Sequence, residues 1–405
     1  MGTHNHTHNF SEQFEFSGKA KTYSLIAILI GIVAIAIGLY TNTERTFLNL
    51  LLMSYYFTCI CAAGLFFLAV QFVAQAGWAT GLLRIPQAFA RVLPIASIIL
   101  IIISAAGLFT HNLYHHWTAE GLTDPNSPNY DFLIANKAAY LNIPFFLTRL
   151  VVFLGSYSIF AIWLTRFSVN EDLVGGLSNY KKSIKYSAIF LVIFGFTTPI
   201  WAFDTIMSLD AHWFSTMFGW YNFAAMWVTG LAAIAITVIL LQKSGYLGWI
   251  NENHIHDLGK FVFAFSIFWT YVWFAQFLLI YYANMPEETV YFYKRFEPEY
   301  LPWFWLNIII NFLAPILLLM TRDAKRKINM MLAVCIIIIC GHWLDYYMMI
   351  MPGTLGPDRG FGFIEIGVFL GFVGLFTFLM LNALSKNALA PKNHPFLDES
   401  LHHHI

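Results

Sequence analysis

Long apolar runs alternate with short polar segments along the whole chain. The apolar runs, with approximate ends, cover residues 23–40, 47–73, 92–110, 141–164, 185–206, 219–241, 260–282, 303–321, 328–350 and 362–384. Each run approaches or exceeds the ~20 apolar residues with which a helix crosses a bilayer. The pattern predicts an all-α polytopic membrane protein. It has a ten-span domain over 23–384, an N-terminal segment at 1–22 and a C-terminal tail at 385–405.

The composition supports a lipid environment. Apolar residues make up 59% of the 405 positions and charged residues only 11%, whereas an average soluble domain has about a quarter charged residues. A soluble fold could not bury this much apolar surface. The formal net charge is zero, which removes the electrostatic case for binding nucleic acid.

The basic residues are distributed unequally between the two sides of the membrane. Of the 22 Lys and Arg residues, 16 fall on the side of the termini, and Arg149 lies within a span. The five on the opposite side are Arg45, Lys137, Lys294, Arg295 and Arg359. Because cytoplasmic loops are enriched in Lys and Arg, we expect both termini to be cytoplasmic. The two longest loops, 111–140 and 283–302, then face outward and are candidate docking surfaces.

A short sequence pattern recurs in the fifth and ninth spans. The fifth ends with IWAFDTIMSL (200–209) and the ninth contains HWLDYYMMIMP (342–352). Each has a Trp, an Asp within the next three residues, and a Met three residues after the Asp. Four spans separate the two copies, so they fit two parallel four-helix bundles. Spans 2–5, about 47–206, would form the first bundle, and spans 6–9, about 219–350, the second, with spans one and ten at the periphery.

Ionisable residues inside the apolar runs are the candidate functional residues, because a charge within a bilayer is costly. They are Arg149, Asp204, His342, Asp345 and Glu365. With the topology above, all five lie toward the outer face. We interpret them as candidates for a proton path.

Asp204 has polar neighbours at helical spacing. Ser208 and His212 follow it by four and eight residues. If the helix continues that far, they form one polar stripe that could pass protons. Arg149, on the preceding span, is the natural partner of Asp204. The alternatives are a structural ion pair and, for His212, a side chain that is merely solvated.

His342 and Asp345 lie three residues apart and therefore share a helix face. A carboxylate there could fix the tautomer of the imidazole and exchange a proton with it. Alternatively, the pair only holds neighbouring helices together.

No pattern in the chain predicts a redox cofactor or a metal site. Its four cysteines lie in apolar runs without the spacing of haem attachment, iron–sulfur or zinc sites. A bis-imidazole haem needs two histidines at one depth, and only His342 lies clearly within a span. The His-rich segments at 4–9 and 402–404 are weak metal-binding candidates. We expect both to be disordered or packed on a partner.

The two-bundle pattern, the His-rich segment after span three and above all TTPIWAFDTIMSLDAHWFSTMFGWY (197–221) resemble a known family. The chain is similar over its whole length to NrfD/polysulfide-reductase-type membrane subunits. It looks most like the second such subunit of alternative complex III, a bacterial quinol:cytochrome c oxidoreductase.

The resemblance implies a subunit of the bacterial inner membrane that carries no redox cofactor itself. Iron–sulfur clusters and c-type haems would belong to partner subunits, and quinol would bind to the sister NrfD-type membrane subunit. Cytochrome c or another periplasmic acceptor would receive the electrons. Phospholipids would surround the chain, and a terminal oxidase is a further candidate partner. Two other classes stay open on the residues alone, namely a stand-alone secondary transporter and a membrane cytochrome b.

Overall fold

The structure is a computed structural model that describes residues 10–356 and 361–404; Arg359 and the segment 4–9 lie outside the described residues. Ten of its helices are long and apolar enough to cross a membrane. They are α1 Gly18–Thr41, α2 Thr43–Ala74, α3 Arg84–Phe109, α4 Ile143–Val174, α5 Ser178–Thr205, α6 Met217–Lys243, α7 Glu252–Ala283, α8 Leu301–Leu319, α9 Ile328–Thr354 and α10 Phe363–Leu384. The prediction of an all-α, ten-span membrane protein is confirmed.

The eight inner helices pack as two four-helix bundles. In the first, α2 contacts α3 and α5, and α4 packs between α3 and α5. In the second, α6 contacts α7 and α9, and α8 packs between α7 and α9. The bundles meet mainly through α2 and α6, whose faces are buried nearly all round. This explains why these two runs are apolar on every side rather than amphipathic.

The two peripheral helices, α1 and α10, pack against each other along a line of small residues. A Cβ atom on Gly31 would lie 2.4 Å from the Cα of Gly371, and one on Gly367 would lie 2.3 Å from the Cβ of Ala34. Small residues let helix backbones approach closely in lipid, where association depends on packing rather than on water exclusion. The α1–α10 pair then rests on α2 and α3.

Several helices are longer than the apolar runs that predicted them. Helix α3 begins at Arg84 rather than near residue 92, and α4 continues to Val174 rather than ending near 164. The extra turns are polar and lie on the side of the termini. Arg84 there donates to Gln87 (Nη1···Oε1 2.7 Å) and also contacts Asp172. Hydropathy marks only the part of a helix that lies in lipid, so it missed these turns.

The C-terminal tail is folded against the rest of the chain. The backbone N–H of Leu389 donates to the carbonyl of Glu12 (2.9 Å), and Ser400 Oγ donates to the carbonyl of Trp78 (2.9 Å). His403 Nε2 lies 2.8 Å from Asp257 Oδ2. The expectation that 402–404 is disordered is therefore wrong, and packing of this segment on a partner stays a prediction. The described N-terminal residues from Phe10 onward and the C-terminal tail lie on one side of the ten helices, which we call the terminal side.

Candidate functional site

Arg149 and Asp204 form a buried bidentate ion pair in the first bundle. Arg149 Nε lies 2.7 Å from Asp204 Oδ2, and Nη2 lies 2.9 Å from Oδ1. Tyr140 donates its hydroxyl to Asp204 Oδ1 (2.8 Å), and its ring lies under the guanidinium (3.8 Å to the centroid). Burial, and then the charge of Asp204, raises the pKa of Tyr140, so this phenol stays a donor. The predicted pairing of Arg149 with Asp204 is present.

The polar stripe expected below Asp204 does not form, because α5 ends at Thr205. Ser208 donates its hydroxyl to the backbone carbonyl of Asp204, and the chain tightens into a 3₁₀ turn over Met207–Asp210. A side-chain hydroxyl that donates to the carbonyl four residues earlier competes with the backbone N–H that would continue the helix. His212 instead contacts Asp131 (Nε2···Oδ2 2.6 Å) at the surface, and this hydrogen bond lowers the pKa of Asp131.

Asp345 is the centre of a different arrangement in the second bundle. Its Oδ1 accepts from the hydroxyl of Tyr221 on α6 and from Asn307 Nδ2 on α8 (2.9 Å). Its Oδ2 accepts from Trp269 Nε1 on α7 (2.9 Å). All four helices of the bundle therefore meet at this carboxylate, which is fully buried. We call Asp345, His342 and these three donors the bundle-two site, and Asp204, Arg149 and Tyr140 the bundle-one site.

The bundle-two site has no Lys or Arg partner in the part of the chain that the structure describes. The one basic side chain in an ion-pair contact with Asp345 there is His342, whose Nδ1 lies 3.6 Å from Oδ2. This ring is fully buried, and neither nitrogen has a hydrogen-bond partner among the described atoms. Nδ1 and Oδ2 are too far apart for a hydrogen bond, so the hydrogen bonds to the Asp345 carboxylate come from its three neutral donors.

A chain of side-chain hydrogen bonds extends from Asp345 along α8. Asn311 donates to the carboxamide oxygen of Asn307 (2.6 Å), and its own oxygen has no described partner. The helix widens into a π-turn over Ile309–Leu313, where Pro315 cannot donate to the carbonyl of Asn311. π-Turns often occur at functional sites. Here the turn accompanies a continuous polar line from Asn311 to Asp345.

Two small cavities lie between the bundle-two site and the loops on the side opposite the terminal side. Each has a volume of about 10 Å³, enough for about one water molecule. Tyr221, Asn307 and Gln276 line the first, and Asp210 lines the second. Both side-chain polar atoms of Gln276 lack a described partner although the residue is buried, which fits hydrogen bonding into this space.

Arg295 stands between the two cavities and lines both. It is buried, donates to the carbonyl of Tyr291 (Nη1···O 2.6 Å), and stacks on that ring (3.2 Å to the centroid). Burial lowers its pKa and raises that of Tyr291 to about 12. Beyond the second cavity Asp210 pairs with Lys294 (2.7 Å) at the surface. We call these polar residues and the two cavities, from Asp345 through Arg295 to Asp210, the opposite-side route.

Glu365 is fully occupied in contacts between helices. Its carboxylate lies 2.7 and 2.5 Å from Arg45 Nε and Nη2, and it accepts from Asn49 Nδ2 (2.9 Å) and from the backbone N–H of Gly362 (2.8 Å). These bonds tie the start of α10 to the start of α2. The geometry favours a structural role for Glu365 over the proposed proton path.

Sequence reasoning missed Glu171, a buried carboxylate at the terminal side of the first bundle. Only 1% of its surface is exposed, and neither carboxylate oxygen has a partner among the described residues. Its neighbour Asp172 takes the contact with Arg84. Residue 171 follows an apolar run by seven positions and reads as an ordinary solvated acid, so only the extension of α4 reveals its burial.

The sequence analysis also did not predict the three donors around Asp345, although one feature of the sequence indicates Asn307. Helix α4 begins Ile-Pro and carries Arg149 five residues after Pro144, while α8 begins Leu-Pro and carries Asn307 five residues after Pro302. Both residues reach the Asp of the fourth helix in their bundle. This correspondence supports the internal repeat and shows that a cation in one bundle is replaced by an amide in the other.

No three His, Cys, Asp or Glu side chains come together as a metal site within residues 10–356 and 361–404. Comparison of the sequence with protein-family models and with curated proteins gives no match. The resemblance to NrfD-type subunits therefore rests on segment 197–221, on the His-rich segment after span three and on the two-bundle pattern.

Proposed function

We propose that this chain is a non-redox membrane subunit of a quinol-oxidising complex of the alternative complex III type. Its sister NrfD-type subunit would bind quinol, and extrinsic subunits would carry iron–sulfur clusters and c-type haems. The support is the resemblance of segment 197–221, together with the position of that segment. It joins the two bundles and contributes Asp204, Asp210 and Tyr221 to the polar sites described above.

Within such a complex the bundle-two site is the proposed proton-exchanging centre. The observation that carries this proposal is a fully buried carboxylate held by three neutral donors, with only an imidazole close enough to share its charge. In this proposal the two groups, whose Nδ1 and Oδ2 lie 3.6 Å apart, exchange protons without breaking an ion pair with Lys or Arg. The opposite-side route then connects the centre to the face where we expect the extrinsic subunits to dock.

The bundle-one site takes a structural role in this proposal. Both oxygens of Asp204 are held by the guanidinium of Arg149 in a buried pair. Breaking such a pair leaves a buried charge without a partner, at a cost of several kcal/mol. Of the candidates for a proton path that the sequence indicates, we therefore keep Asp345 and His342 as the proposed exchanging groups.

Purification in a mild detergent tests membership of a complex. The chain should co-purify with a related membrane subunit and with chains that carry iron–sulfur clusters and c-type haems, while showing no haem absorption when isolated alone. A free, stable monomer would contradict the proposal and favour the transporter class. A haem retained by this chain alone would favour a membrane cytochrome b.

Redox-triggered infrared difference spectra of the assembled complex test the proton-exchanging centre. A carboxyl or imidazole protonation signal should disappear in both Asp345→Asn and His342→Gln. The matched control is the double variant Arg149→Met, Asp204→Leu, which removes the other buried acid and should retain the signal. A spectrum that both single variants leave unchanged would exclude the bundle-two site.

A further inference from the structure

A cleft of about 390 Å³ lies on the terminal side between α3, α4 and α10. It is separate from both polar sites and is lined by residues of all three helices. Three cationic side chains line it: Arg91 on α3, Arg166 on α4, and Lys386 just after α10. None of them forms an ion pair with a carboxylate anywhere in residues 10–356 and 361–404.

Arg91 is half-buried and has only a neutral partner. Asn387, with its carboxamide oxygen turned toward the guanidinium, accepts from Arg91 Nη2 at 2.9 Å. Three like charges around one cleft repel each other, and withdrawal of Arg91 from water adds a desolvation cost. An anion in the cleft would offset both terms.

The deeper walls of the cleft are apolar and open to lipid. Ile95 lies one helical turn beyond Arg91, and Ile162 lies one turn beyond Arg166, in both cases toward the middle of the membrane. Their exposed fractions are 43% and 38%. Leu379 on α10 completes this wall about two turns from Lys386. The cleft therefore has cations at the membrane boundary and the apolar side chains of Ile95, Ile162 and Leu379 below them.

We propose that this cleft binds an anionic phospholipid, with its phosphate among Arg91, Arg166 and Lys386 and an acyl chain along Ile95, Ile162 and Leu379. Basic pockets between helices at the cytoplasmic boundary suit anionic headgroups, and Arg holds phosphate through several donors at once. A soluble phosphate would satisfy the cations but would leave the apolar wall without a ligand. Occupancy would fasten α10 to α3 and α4.

The test uses the full-length chain in nanodiscs of phosphatidylcholine with a small fraction of phosphatidylglycerol. Bound lipids are counted by native mass spectrometry after exchange into detergent. The wild-type chain should retain phosphatidylglycerol in preference to phosphatidylcholine. The triple variant R91Q/R166Q/K386Q should weaken this retention by about fivefold for each charge removed, roughly a hundredfold in total.

Two further variants make the result specific. R166Q/K386Q changes only exposed residues, so it should fold even if loss of Arg91 disturbs packing, and it should weaken retention roughly thirtyfold. The control K181Q/K182Q/K185Q removes three positive charges, as the triple cleft variant does, but from exposed lysines of α5 on the same side. It should leave retention of phosphatidylglycerol unchanged.

Three outcomes would overturn the proposal. One is equal loss of retention in the control variant and in the cleft variants, which would mean general surface attraction. Another is unchanged retention in R166Q/K386Q. The last is displacement of phosphatidylglycerol by inorganic phosphate at matched concentration, which would mean a phosphate site without a role for the acyl chain.

Discussion

Substitution of the two buried aspartates by Asn should affect stability unequally. The change is nearly isosteric at both positions and removes only the charge and two acceptor lone pairs. At Asp204 it leaves the guanidinium of Arg149, whose side chain is 8% exposed, without a counterion. Loss of one partner from a buried ion pair costs about 3–5 kcal/mol.

At Asp345 the same change removes no ion pair with Lys or Arg. The carboxamide oxygen can still accept from Tyr221 and Asn307 at the position of Oδ1. The new NH₂ group faces Trp269 Nε1, which donates to Oδ2 at 2.9 Å in the wild type, so one buried donor loses its acceptor. That loss costs about 1–3 kcal/mol. We therefore expect Asp204→Asn to be the more destabilising of the two by about 2 kcal/mol.

The free energy of unfolding in mixed micelles, titrated with a denaturing detergent, measures this difference. Arg149→Met combined with Asp204→Leu is the control, because removal of both charges restores apolar packing and should recover most of the loss. Equal destabilisation by the two Asn substitutions, or a larger effect at Asp345, would refute the assignment of Asp204 as the structural residue.

Three other predictions concern the tail, the start of α10 and the topology. Burial, and then the charge of Arg84, lowers the pKa of His394 to about 4 in the docked tail. In a detached tail the imidazole has its usual pKa of about 6.5, so acid favours detachment. Docking should be complete above pH 6.5 and weaken by about 2 kcal/mol at pH 5. Hydrogen exchange of 389–404 at pH 8 and pH 5 measures this, and equal protection would contradict it. Glu365→Gln should destabilise by about 2 kcal/mol, less than a fully buried pair because Arg45 is partly exposed; an unchanged melting curve would contradict the structural role. In the Ser178→Cys variant, the new thiol should be protected from impermeant reagents added outside intact cells. Labelling of this thiol would contradict the predicted topology.

The ten spans followed from the sequence because hydrocarbon forces every backbone polar group into a helix. This constraint gives the number of helices, but it does not determine where they end. Helix α4 runs ten residues past its apolar run and thereby buries Glu171. Helix α5 stops at Thr205, before the expected stripe reaches His212, because Ser208 takes the carbonyl of Asp204.

The candidate acids were visible in the sequence because a charge in an apolar run stands out. Their partners were visible only when they too were charged, as with Arg149. Tyr221, Trp269 and Asn307 are neutral, come from three different helices, and resemble residues of any aromatic-rich span. Asp204 is held by an arginine, whereas Asp345 is held by these neutral donors. This difference became visible only in the three-dimensional arrangement.

Proton release per electron by the purified complex in sealed liposomes tests the proposed role of the bundle-two site most directly. The assembled Asp345→Asn complex should release fewer protons per electron than the wild type, because Asn cannot titrate. The Arg149→Met, Asp204→Leu complex should match the wild type. An intact Asp345→Asn complex with the wild-type ratio and the wild-type turnover would contradict the role of Asp345 in proton exchange.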